Sequence, residues 1–184
     1  MIRFGSDYHL YDGYSVDWRK QPHMTLDDIA HMILDIHNSV VRRSDITVIV
    51  GDIGAVCDHT LDIFSQMNGE LYLVLGNHDH DWDLSILKNS GVFKHISDNI
   101  LFDRIYVQHT PDFVFSEEQR NYFYYIHGHH HVYNTLEMRK EFDKYKRDNC
   151  RYNCCIDLNN LKPCTLQELM LNKAVLVDKL QDTV

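Results

Sequence analysis

Four of the chain's thirteen histidines fall within five positions of "HGHHH": His127, His129, His130 and His131. A run of this kind arises from an affinity tag, a metal site or chance, and a tag would sit at a terminus. Four other places mix the same residue types: Asp7-Tyr8-His9, Gly51-Asp52, Gly76-Asn77-His78-Asp79 and Gln108-His109-Thr110-Pro111. Imidazoles with carboxylates suit borderline divalent metals such as Mn, Fe, Zn or Ni. A bridging carboxylate can serve two such ions about 3.5–4 Å apart. Each group alone has a plainer explanation. Gly-Asp is a turn signal, and Asn tolerates positive φ in a tight turn. His109 could simply close a strand ahead of Pro111. Their conjunction is what chance explains poorly, because all five follow an apolar run.

Those runs are the elements that must position them. "IRFGS" reads as a first strand, "ITVIV" as a strand buried on both faces, and "LYLVL" as a second of that kind. "NILF", "RIYVQ", "YFYYI" and "RYNCCIDL" are later strand candidates, with Asp103-Arg104 turning the first into the second. Between the early strands, "TLDDIAHMILDIHNSV" places Leu26, Ile29, Ala30, Ile33, Ile36, His37 and Val40 on one helical face. Thr25 and Asp28 form a capping-box pattern at its start, as do Thr165 and Glu168 ahead of a final helix. A shorter helix is expected around "HTLDIFSQM". The alternation predicts an α/β sandwich with mixed central β-sheets flanked by helices. In such sheets ligands bind beyond the carboxyl ends of the strands. Strands spaced about 4.8 Å apart would bring the five polar groups to one rim.

The length of 184 residues suits a single domain over 1–184, and 44% hydrophobic residues can fill its core. No stretch approaches the roughly 20 apolar residues of a membrane helix, and "MIRFGSD" reads as no signal peptide. The expectation is a cytoplasmic protein without a membrane partner. Cys57, Cys150, Cys154, Cys155 and Cys164 are odd in number with no CxxC spacing, so reduced structural thiols are expected, and a zinc site from Cys150, Cys154 and Cys164 fits no familiar knuckle. A formal charge of −9 disfavours nucleic acid as partner. The basic stretch at 138–151 mixes both signs and reads as a solvated connection.

In order, "DYH", "GD", "GNHD", "QHTP" and "GHHH" resemble the motif set of the calcineurin-like metallophosphoesterases, in particular their small single-domain bacterial and phage members. The resemblance runs from the first strand through "GHHH" and more loosely into "RYNCCIDLNNLKPCTLQEL". It implies two divalent metal ions, manganese first among the candidates. Asp7, His9 and His131 would hold one, Asn77, His109 and His129 the other, and Asp52 would bridge them. His129 and His131 would face the metals as alternate residues of an extended segment, leaving His130 at the rim and His127 in a packing role.

The resemblance further implies hydrolysis of phosphate esters, phosphodiesters ahead of monoesters, by a hydroxide formed where metal lowers the pKa of water from about 15.7 towards about 7. His78 would stabilise the phosphoryl oxygens and protonate the leaving group, with Asp79 hydrogen-bonded to its imidazole. The expected substrate is a small phosphoester, nucleotide-like compounds included, and a homo-oligomer remains open. The alternatives are a non-catalytic metal-binding scaffold of the same fold, or a nuclease. The loop "LYDGYSVDWRKQPHM" could contact substrate or be ordinary surface, and Arg19 and Arg104 are candidate phosphate clamps.

Overall fold

The computed structural model describes residues 1–13, 19, 23–112, 114, 116–131 and 149–181. Most of the 10–24 loop, and the basic connection up to residue 148, lie outside them.

Two four-stranded sheets make up the architecture. In the first, β1 (Ile2–Gly5), β2 (Ile46–Val50), β3 (Glu70–Val74) and β4 (Phe93–Ser97) run parallel in that order. In the second, β5 (Asn99–Phe102) pairs antiparallel with β6 (Ile105–Gln108), and β7 (Tyr124–His127) and β8 (Arg151–Asn153) continue parallel. The chain is therefore α/β with mostly parallel sheets, and only the second sheet is mixed. The antiparallel pair β5–β6 comes from the tight turn at Asp103, whose φ is +49°.

Helix α1 (Leu26–Val40) starts at Thr25, whose hydroxyl accepts the Asp28 N–H at 3.1 Å while Asp28 accepts the Thr25 N–H at 2.8 Å. It buries Ile29, Ala30, Ile33, Leu34 and His37. Leu34 was not anticipated on that face, and Leu26, Ile36 and Val40 lie at its margins. Helices α2 (Asp58–Ser65), α3 (Leu84–Asn89), α4 (Glu117–Tyr122) and α5 (Leu166–Gln181) follow among the described residues. Among the described residues no helix is long and apolar enough to cross a membrane.

Strand β2 explains why its sequence is apolar throughout. Ile49 packs with Ile33, Phe64 and Leu73 on the helix side of the first sheet. Val48 and Val50, pointing the other way, join Phe4 and Val74 against Val107, Ile126 and Tyr152 of the second sheet. The sheets are thus the two halves of a sandwich sharing an apolar interior. The outer edge of β1 is closed by the segment after β8: Phe4 and Cys164 exchange backbone hydrogen bonds at 2.8 Å, and Ser6 N–H donates to the Cys154 carbonyl at 3.2 Å. "RYNCCIDL" therefore forms a strand only over its first three residues. It then leaves the second sheet to reach β1, ending in a 3-10 turn at Ile156–Leu158. Similarly, "YFYYI" starts its strand only at Tyr124, because α4 claims Tyr122.

Candidate metal centre

Strands β1, β2, β3, β6 and β7 each deliver one of the five polar groups at the carboxyl end. All seven expected ligand residues come together there. Asp7, His9 and His131 offer ligand atoms within 4.8 Å of one another, and so do Asp52, His109 and His129. Asn77 joins the second group, its Oδ1 lying 3.0 Å from His109 Nε2 and 2.9 Å from His129 Nδ1. Asp52 stands between the groups: its Oδ2 is 3.2 Å from His109 Nε2 and 3.7 Å from His9 Nε2. Asp7 and Asp52 are buried, and His129 and His131 face the open side.

Three of the histidines are oriented in the same sense. His109 sets Nδ1 on the Val50 carbonyl at 2.7 Å, His9 sets Nδ1 on Asp12 at 3.2 Å, and His131 sets Nδ1 on Asp157 at 3.1 Å. With each Nδ1 against an acceptor, the N–H belongs there and the Nε2 lone pair turns towards Asp52 or Asp7. Lone pairs facing carboxylate oxygens call for a positive charge between them. In the protein alone, protons answer that call. Burial opposes charging His109, but Asp52, Asp7 and the Val50 carbonyl outweigh it and raise its pKa to about 9. His131 is raised in the same way by Asp157 and Asp7 against burial. Burial, with neighbouring His131 and His109 charge respectively, lowers His9 and His129. Burial would raise Asp52, yet its bond to His109 and the neighbouring charges hold it down at about 2.

The backbone beneath these groups is unusual. Asp7, His9, Asp52 and His129 all lie in the left-handed region, with φ of +60°, +41°, +56° and +73°. Half of the eight described non-glycine residues with positive φ are thus candidate ligands, and such backbone stores strain that the surroundings must hold in place. His129 also revises the expected geometry of "GHHH". The segment is not extended, since β7 ends at His127, and the turn at His129 is what sends His129 and His131 to the two groups.

The motif glycines make room for ligands of other motifs. A Cβ on Gly51 would sit 2.5 Å from His109 Nδ1, one on Gly76 2.3 Å from Asp52 Oδ1, and one on Gly128 2.6 Å from Asp7 Oδ2.

His78 is exposed at the mouth. Its N–H donates to Asp52 Oδ1 at 2.9 Å, and its ring meets that of His9 edge-on at 5.4 Å. Asp79 does not hold the His78 imidazole as expected. Its carboxylate is buried and accepts the N–H groups of Asp52 (2.9 Å), Ile53 (2.9 Å) and Gly76 (2.8 Å). The short 3-10 turn His78–Asp81 carries the two side chains in different directions, one to the mouth and one inward. Asp79 thus ties the loops after β2 and β3 together, and burial pushes its own pKa up. His127 is buried among Tyr125 and His130, in the packing role anticipated, with burial lowering its pKa to about 3. His130 is partly exposed beside His129.

Two contributors were not legible beforehand. Asp157, at the end of the segment after β8, holds His131, and Asp12 holds His9. An acidic residue at the end of the strand candidate "RYNCCIDL" was the available signal for Asp157. Arg19 is no phosphate clamp here: its Nε pairs with Asp157 Oδ1 at 2.8 Å, and its Nη2 donates to the carbonyls of Asp7 and Tyr8, both at 3.0 Å. Arg104 lies over the Tyr124 ring, 5.7 Å from its centroid. Cys150, Cys154 and Cys164 are buried; Cys154 and Cys164 belong to the intersheet core.

No protein-family model matches the chain, and no curated protein matches it significantly. The chain is similar in fold to the crystal structure of the protein of unknown function AQ665 from Aquifex aeolicus, with 24% identity over 98% of each chain and a TM-score of 0.65.

Proposed function

We propose that this chain is a two-metal phosphoester hydrolase of the calcineurin-like metallophosphoesterase type, acting on phosphodiesters ahead of monoesters. The observation that carries the reading is the position of Asp52, one carboxylate oxygen within reach of both donor groups. The donor set fits divalent cations: carboxylate and amide oxygens with imidazole nitrogens, no thiolate, and lone pairs directed inward by hydrogen bonds on the far side of the rings. Cations would displace the protons that His109 and His131 otherwise attract.

Asp7, His9 and His131 would hold one ion and Asn77, His109 and His129 the other, with Asp52 shared. Bound there, two divalent cations supply charge stabilisation for phosphoryl oxygens and an acidified water. The chain's own residues provide the rest. Asp79 fixes the spacing between the Asp52 and Asn77 loops through three amides. Arg19, Asp157 and Gly128 keep the first-group residues in register, while Gly51 and Gly76 make room for His109 and Asp52. His78, exposed beside His9, stands where its ring nitrogen can hold a proton for a departing alkoxide, help worth typically about 10²–10⁴-fold.

The test compares bis(p-nitrophenyl) phosphate with p-nitrophenyl phosphate under manganese, nickel, magnesium and chelator. The expected outcome is metal-dependent hydrolysis, faster on the diester, lost in Asp52→Asn. His78→Ala should lower turnover by about 10²–10⁴-fold at unchanged metal stoichiometry. A wild-type protein that binds two ions yet hydrolyses neither ester would leave the scaffold reading. One that binds none overturns the proposal.

A further inference from the structure

Asp157 and Arg19 belong to neither donor group, yet together they control one ligand of the first. The Oδ2 of Asp157 meets His131 Nδ1 at 3.1 Å, while its Oδ1 takes the Arg19 Nε at 2.8 Å. The pair is well shielded, with side chains 3% and 11% exposed for Arg19 and Asp157. On the opposite side of the His131 ring, Nε2 lies 3.4 Å from Asp7 Oδ1. Arg19 reaches Asp7 as well, because its Nη2 binds the carbonyls of Asp7 and Tyr8. Asp7 is one of the left-handed residues, so this hydrogen bond braces strained backbone. One guanidinium therefore fixes both the peptide that carries Asp7 and the carboxylate that orients His131.

We propose that the Arg19–Asp157 ion pair is a positioning device for the first metal group: it holds the Nδ1–H tautomer of His131 and sets the separation of His131 from Asp7. This rests on the two-metal reading above. Asp157 could instead be a ligand, since it groups with His131 and Cys155. Two features oppose that. Its Oδ1 is already committed to a buried arginine, and Cys155 is a fully buried thiol whose charged form burial disfavours. The placement of Arg19 and the completeness of the first group are therefore linked, through its bonds to Asp157 and to the carbonyls of Asp7 and Tyr8.

Calorimetric manganese titration of metal-stripped full-length protein, with cobalt(II) absorption as a second readout, tests the device. The variants are Asp157→Leu, Asp157→Asn, Arg19→Met and the double Asp157→Leu/Arg19→Met. Wild type should bind two ions. Asp157→Leu should keep one site at wild-type affinity and weaken the other by about 10–100-fold, as loss of a ligand's hydrogen-bond partner typically does. Asp157→Asn, which retains an acceptor for Nδ1–H, should fall between. The double variant removes both buried charges, so its chelator-state melting temperature should recover relative to the single variants while the first site stays weak. A merely structural ion pair would recover both together. Wild type binding two ions and Asp157→Leu binding both within about threefold of it would overturn the inference alone, and so would equal loss at both sites. Wild type binding none would overturn the two-metal reading beneath it.

Discussion

Replacing Gly76 by alanine places the new Cβ 2.3 Å from Asp52 Oδ1 and 2.5 Å from the Asp52 amide nitrogen, where ordinary contact begins at 3.4 Å. The carboxylate must therefore retreat by about 1 Å, further than the roughly 0.5 Å that ligand constellations tolerate. Because the second neighbour is backbone, the side chain cannot absorb the whole conflict by rotating, and overpacking of this kind costs about 1–3 kcal/mol. Asp52 lies within reach of both donor groups, so its displacement should weaken both ions together. Disturbing the contacts that position a metal ligand typically costs about 10–100-fold in affinity, about 1.4–2.8 kcal/mol. Manganese titration of metal-stripped protein reads the affinity, and a melt in chelator reads the fold, where a loss of roughly 2–12 °C is expected. Gly13→Ala, whose Cβ would meet nothing within 4 Å, is the control. Gly128→Ala, which conflicts with the Ser6 and Asp7 side chains, should act on the first group alone. If Gly76→Ala bound both ions with wild-type affinity, Asp52 would not be the shared ligand.

Two further outcomes are expected. Asp79→Ala strands three buried amides at about 1–3 kcal/mol each; urea melts should show a loss of at least 3 kcal/mol, whereas a residue that merely oriented His78 would leave stability near wild type. His37 is wholly buried, its Nε2–H on the Asn68 carbonyl at 3.0 Å, and burial lowers its pKa from 6.5 to about 4. The unfolded chain thus takes up this proton below pH 6.5 while the folded one resists until pH 4. Its contribution is full above 6.5 and falls away as the pH drops, by up to about 3 kcal/mol. Urea melts between pH 7 and 4 should show a shallower decline for His37→Gln, and parallel curves would refute the assignment.

The sequence carried most of the buried framework and the gathering of the seven candidate residues at one rim, for a shared reason. Strands "ITVIV" and "LYLVL" are apolar on both faces because each packs against helices on one side and the other sheet on the opposite side. A run of that kind stopping at Gly-Asp or Gly-Asn-His-Asp marks a strand end in a parallel sheet. Strand β4 escaped notice because an edge strand with exposed Lys94 and His95 shows neither alternation nor an apolar run. The direction of the Asp79 side chain could not be read either, since adjacent residues in a 3-10 turn diverge in a way that spacing does not reveal. Asp157 and Arg19 meet through tertiary placement alone, across 138 positions of sequence.

The hydrogen bonds between Phe4 and Cys164 join segments 160 positions apart, and β1 leads straight into Asp7. Strand β1 can pair with β2 early, but its other edge stays open until the chain has been made through Cys164. Contacts between such distant stretches form slowly. The gathering of Asp7 with its neighbours at the rim should therefore come late in folding, after secondary structure and most of the interior are already in place.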